Sequence, residues 1–122
     1  MSEQYYKRNQ PSQRQLQIGA SIHRIAMQAL TMDESLYSRF HSVSFIGVRM
    51  TGGLKNATIM FITPEIDVKK IKLALNKASG YFRKIIASQL HLRFIPEIDF
   101  QYDKSAAQLD LLQQNLEKIR EL

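Results

Sequence analysis

The sequence predicts an α+β domain, a three-stranded sheet with helices packed on it. Three observations carry this. Three separate stretches space their apolar residues by three and four, the period of a helix. The stretch HSVSFIGVRMTGGLKNATIMFIT is rich in β-branched and aromatic residues and is split by Gly52-Gly53, a hairpin signal. IPEIDFQYD alternates apolar with polar side chains, the period of a half-buried strand. At 122 residues the chain fits one domain with one modest core.

Residues 1–11 are polar, contain Asn9, Gln10 and Pro11, and show no periodicity; they read as a flexible N-terminal arm. Residues 12–104 form the predicted domain and 105–122 a C-terminal helix. Ser12 is a natural N-cap for a first helix whose stripe is Ile18, Ile22, Ile25 and Ala29. After the first strand and the Gly-Gly turn, Ala57, Ile59 and Phe61 share one face of the second strand. Thr58, Met60 and Ile62 share the other, so this strand is predicted to lie centrally under at least one helix. Thr63-Pro64-Glu65 reads as a helix start, with Thr as cap, Pro at the first helical position and an acid in the first turn. The stripe that follows is Val68, Ile71, Leu75, Ala78, Phe82 and Ile85. Pro96 disfavours further helix. Ile98, Phe100 and Tyr102 then alternate with Glu97, Asp99, Gln101 and Asp103, giving a third strand with an acidic outer face. Leu109, Leu112, Leu116 and Ile119 mark the last helix, with Ser105 as its expected cap. The helical link between strands two and three is long enough for a crossover, so those strands need not be hairpin partners.

Several function classes are disfavoured. The chain has no Cys, which excludes disulfides and thiolate metal sites and permits a reducing compartment. No apolar run approaches the roughly 20 residues that span a bilayer, and the first residues lack the apolar core of a secretory signal. His23, His41 and His91 are scattered, with none three or four residues from another. A zinc site needs three or four convergent ligands, and nothing suggests them. Glu97, Asp99 and Asp103 read as a solvated strand face that discourages edge-to-edge pairing rather than as catalytic acids. Gly52-Gly53 is a bare turn, not a phosphate cradle. The expectation is a protein that is not an enzyme, with no catalytic residue, no metal and no cofactor.

Charge is the sharper signal. The net charge is +6, unevenly placed: residues 65–95 hold seven Lys or Arg against two acids, and 96–122 hold three against six. Lys69, Lys70, Lys72, Lys77, Arg83 and Lys84 fall within sixteen residues, and no acid occurs between Val68 and Arg93. A helix charged only for solubility usually interleaves Glu with Lys. A one-signed helix suits a polyanion, because phosphate neutralisation supplies most non-specific nucleic-acid affinity. Gly80 interrupts this helix at a cost of about 0.5–1 kcal/mol relative to Ala. By the helix period it lies opposite the apolar stripe, on the basic face, where it gives a phosphate close access to the backbone. Tyr81 beside it is a candidate for base stacking.

The same residues resemble the ribosome-binding factor A family, bacterial assembly factors of the small ribosomal subunit. The likeness runs from about Ile18 to about Leu112. It rests on Leu54 and Ala57 at the entry to the second strand, with Gly53 where the family carries an acid. It rests further on Ala78-Ser79-Gly80, on Arg83, and on the run Leu92, Arg93, Pro96 and Glu97. Phe100, Asp103 and Ser105 complete it. The resemblance implies a type II KH-like domain of order α-β-β-α-kink-α-β, in which an Ala-x-Gly kink replaces the usual Gly-x-x-Gly RNA loop. It also implies a non-enzymatic, RNA-binding factor that needs no cofactor; the chain is further expected to be cytoplasmic, to meet no membrane and to be a monomer. Such a factor binds the free small (30S) subunit and its rRNA and assists late 16S rRNA processing, notably under cold stress. The apolar phase alone predicts one continuous helix through Gly80; the resemblance implies a kink at Ala78–Gly80, which would give the glycine a purpose. The expected RNA-binding residues are Lys69, Lys77, Ser79, Gly80, Arg83 and Lys84, with Arg14, Arg24 and Lys55 as secondary candidates. The alternative is a protein-interaction module acting through the C-terminal amphipathic helix.

Overall fold

The computed structural model describes residues 10–121, so nearly all of the N-terminal arm lies outside the described residues. The chain runs α1 (Gln13–Met32), α2 (Glu34–Phe40), β1 (Ser44–Thr51), β2 (Asn56–Ile62), α3 (Val68–Lys77), α4 (Ser79–Gln89), β3 (Glu97–Tyr102) and α5 (Lys104–Glu121). The sheet order is β1-β2-β3. β1 and β2 are antiparallel, and β2 and β3 are parallel. A parallel pair needs a crossover, and α3 and α4 supply it. The order α-β-β-α-kink-α-β is that of a type II KH-like domain, with α2 and α5 added.

Local chemistry accounts for most boundaries. Ser12 caps α1 in a reciprocal box: its hydroxyl accepts from the Gln15 N–H at 3.0 Å, and its own N–H donates to Gln15 Oε1 at 2.8 Å. Ile22, Ile25, Ala26, Ala29 and Leu30 of α1 are buried. Gly19 lets the helix lie close on β1, since a Cβ there would meet the Val48 carbonyl oxygen at 3.2 Å. The half-buried His23 reaches across the same contact, its Nε2 lying 2.6 Å from the Phe45 carbonyl oxygen. Gly52 and Gly53 both have positive φ, 59° and 70°, which L side chains rarely adopt; the predicted hairpin is there.

Three local features depart from or add to the reading of the sequence. The segment TMDESLYSRFHS holds a short helix, α2. Asp33 makes it: its N–H closes α1 on Ala29, while its carboxylate accepts from the Leu36 N–H at 3.1 Å. Leu36 and Phe40, four apart, are both 1% exposed. Second, the helix after β2 does not begin at Thr63-Pro64-Glu65. The Thr63 hydroxyl is spent on a local turn with the Glu65 N–H, and Asp67 caps α3 by accepting from the Lys70 N–H. A carboxylate three residues before an N–H is the stronger cap. Third, α5 is capped by Asp103, which accepts from the Ala106 N–H at 3.0 Å, not by Ser105.

The core lies between the sheet and α1, α3 and α4. Ala57, Ile59 and Phe61 of β2 are completely buried, while Thr58, Met60 and Ile62 are half-buried, as expected of a central strand. Phe82 of α4 packs 5.1 Å from Phe100 and 5.7 Å from Phe45, ring centre to ring centre. Asn76 of α3 pairs with the backbone of β3 at Phe100, accepting from its N–H at 3.0 Å and donating to its carbonyl at 3.3 Å. The open edge of β3 is thus partly covered by a side chain. α5 buries no residue; Leu109, Leu112, Leu116 and Ile119 stand in solvent. No helix among the described residues is long and apolar enough to cross a membrane.

Candidate nucleic-acid interface

The helix across 68–89 is kinked at Ala78. Ala78 has φ −88° and ψ 2°, outside the helical well, and α3 ends there while α4 begins at Ser79. The Ala78 carbonyl accepts from the N–H groups of both Tyr81 and Phe82, at 3.0 and 3.1 Å, so the second helix starts one residue later in nearly the same phase. The unbroken apolar period is explained: Leu75, Ala78 and Phe82 all remain buried across the bend. No side chain caps the start of α4. Its positive dipole end is left to solvent beside Gly80.

Gly80 itself is not required by the fold. Its φ is not positive, and a Cβ there would meet nothing within 4 Å. The glycine keeps an exposed helix start bare of side chain.

Arg83, Lys84 and Gly80 lie on one face of α4. With Ala87 they face Arg93, Phe94 and Ile95 across a shallow cleft of about 350 Å³. A second cleft of about 410 Å³ shares Arg93, Phe94 and Ile95 and brings in Arg14 and Lys55. Five of the nine predicted residues therefore meet around one loop. Ser79 is half-buried in the first turn of α4. Lys69 and Lys77 are exposed at opposite ends of α3, about 12 Å apart along its axis. Arg24 is exposed, about 15 Å along α1 from Arg14, and lines neither cleft.

Arg83 is engaged within the protein. Its Nε donates to the Pro96 carbonyl at 3.1 Å and a terminal nitrogen to the Ile95 carbonyl at 2.9 Å; Glu97 lies 3.6 Å away. It staples the loop before β3 onto α4. Tyr81 points the other way, to the junction of α1 and α2, where its hydroxyl donates to Asp33. That bond, and then the Leu36 N–H, hold the Asp33 carboxyl below its ordinary value; the same bond raises the Tyr81 phenol. The acids of β3 and Asp103 just after it are engaged one by one. Asp99 accepts from Thr58 at 2.8 Å and from Gln101, Glu97 faces Arg83, and Asp103 caps α5. Among the described residues, no group of three or more His, Asp or Glu is arranged to hold a metal ion.

Two residues in this region escaped the reading from sequence, Arg93 and Phe94 as surface groups. The signal was an Arg-Phe pair stranded between the end of a helix stripe and a proline, outside any apolar period.

Comparison with known proteins bears on this arrangement. The family model described as Ribosome-binding factor A matches residues 14–116. A Ribosome-binding factor A of Citrifermentans bemidjiense is 37% identical over 90 residues, covering 72% of this chain and 75% of that protein. The crystal structure of ribosome-binding factor A from Thermus thermophilus superposes with a TM-score of 0.63 at 15% identity, covering 72% of this chain and 94% of that one. Coordinates of the Thermus thermophilus factor, fitted as a homology model into the cryo-EM map of its 30S complex, give a TM-score of 0.58 at 14% identity, covering 75% and 97%. The last two likenesses are of fold.

Proposed function

The chain belongs to the ribosome-binding factor A family, and from this we propose that it is a non-enzymatic, RNA-binding assembly factor of the free small (30S) ribosomal subunit. It assists late 16S rRNA maturation, notably in the cold, as a cytoplasmic monomer without a cofactor. The domain of residues 12–104 carries the RNA contacts. The observation that carries this reading is the exposed, one-signed charge around the kink: Lys69, Lys77, Gly80 and Lys84 are exposed, in a stretch with no acid from Val68 to Arg93. Such a surface matches the phosphates of rRNA. Lys55, Arg14 and Arg24 extend it, Ser79 lies in the first turn at the kink, and Arg83 contributes by holding the neighbouring loop. The exposed apolar stripe of α5 supports a second, protein-docking role for residues 105–122.

Co-sedimentation with isolated small subunits tests the reading. At moderate salt the protein is expected in the subunit fraction; recovery only as free protein, at both low and moderate salt, would overturn it. Gly80→Ala sharpens the test. The added methyl fits open space, so the fold should be unchanged or firmer, by at most about 1 kcal/mol. Subunit binding should nevertheless weaken, because the methyl blocks close approach of a phosphate to the start of α4. Equal binding by both proteins would remove the kink from the RNA surface.

A further inference from the structure

Building on that reading, we propose that Phe94 is a base-stacking platform for single-stranded RNA, standing on a ridge between two basic clefts. Phe94 is the exception among the six phenylalanines. The other five are between 0% and 3% exposed, and Phe94 is 76% exposed. The Arg93 guanidinium carbon sits 5.5 Å from its ring centre, so one side of the ring carries a cation. On one side of the ridge lie Gly80 and Lys84 of α4; on the other lie Arg14 and Lys55. Leu54, Leu92 and Ile95 are half-buried and line the cleft as an apolar floor for a base or ribose.

The ridge is built, not loose. Arg83 holds the carbonyls of Ile95 and Pro96, and Pro96 is buried. The Glu97 N–H donates to the Lys55 carbonyl at 2.9 Å, tying the hairpin turn to the start of β3. Gln15 Nε2 donates to the Gly53 carbonyl at 2.8 Å, tying the start of α1 to the same turn. Three separate segments are thereby pinned around an aromatic ring left in water. A backbone fixed in advance loses little conformational freedom on binding, which favours a ligand that stacks on the ring it presents. Charge selects the class of ligand. Arg14, Lys55, Lys84 and Arg93 face one acid, Glu97, and that acid is already beside Arg83. A strand of RNA supplies both a flat base for the ring and a phosphate for each flank. A duplex hides its base faces and cannot use the ring.

The chain contains no Trp, so Phe94→Trp gives a single, selectively excited reporter. Titration with a short single-stranded oligonucleotide RNA is expected to quench its emission, and the same RNA as a duplex to quench it far less. Phe94→Ala is expected to weaken binding of that oligonucleotide about tenfold, and Phe94→Trp to restore it. Unquenched emission on single-stranded RNA, or equal affinity of Phe94→Ala, overturns the proposal. So does a Phe94→Ala protein that loses subunit binding but keeps its affinity for the oligonucleotide, since the ring would then meet a protein. If the unaltered protein fails to sediment with subunits, the assembly-factor reading falls; if it sediments and Phe94→Ala matches it in both assays, only the stacking platform falls.

Discussion

Phe82→Ala is expected to lower the unfolding free energy by about 3–5 kcal/mol. Phe82 is completely buried where α4 meets the sheet, and its ring touches Phe45 from β1 and Phe100 from β3. Removing it takes away the hydrophobic transfer energy of a large ring and leaves a cavity that two other rings line. Those rings are held by their own strands, so the site collapses poorly, and poor collapse puts the cost toward the upper end. A domain of this size has a total stability of about 5–15 kcal/mol, so the variant stands near its unfolding threshold. Urea denaturation followed by far-UV circular dichroism measures the loss, read from the midpoint at unchanged slope. A loss below about 1 kcal/mol would mean that the three rings are not the centre of the core.

Replacing Lys69, Lys77 and Lys84 together with Gln is expected to act in the opposite way. All three are exposed, and among the described residues none has an ion-pair partner. Stability should therefore stay within about 0.5 kcal/mol per site. Affinity for isolated small subunits should fall at least about tenfold at low salt. The salt dependence carries the sharper signature: the slope of log affinity against log salt should become shallower by about three, one for each phosphate contact removed. An unchanged slope would mean that these lysines meet no phosphate, whatever happens to the affinity.

What the sequence made legible follows the apolar periods. The stripes of α1 and of the α3–α4 segment, the alternation of β3 and the central place of β2 all appear in the fold, because each is set by burial of one face. Ser12 and the Gly52-Gly53 turn were legible because each has a single local job. Boundaries set by competition were not. Thr63 and Asp67 are both plausible caps, and only the fold decides which N–H each can reach. The period could not locate the bend, because one residue, Ala78, leaves the helical well while its neighbours keep phase.

The candidate site was half legible. The acid-free run of Lys and Arg is visible in any reading of charge, and Gly80 does lie on its exposed face. Tyr81 did not behave as its proximity suggested; at one residue from Gly80 it is turned about 100° around the helix, toward Asp33. Arg83 looked like a phosphate contact and serves first as a staple, since its guanidinium finds two backbone carbonyls twelve and thirteen residues away. Phe94 was invisible because exposure of a lone aromatic has no periodic signature. Arg14 and Lys55 join it only through a hairpin turn and a helix start that are far apart in sequence.

The absence of Cys allows the contact between the kink and rRNA to be mapped, because one introduced cysteine gives one unambiguous tether. An iron chelate attached through Ser79→Cys, at the kink, generates hydroxyl radicals when the protein is bound to isolated small subunits. The same chelate attached through Gln113→Cys, on exposed α5, serves as the reference position. Localised cleavage of 16S rRNA is expected from position 79, abolished when the three lysines are replaced by Gln. Cleavage from position 113 alone, or from neither position while the protein remains on the subunit, would contradict it.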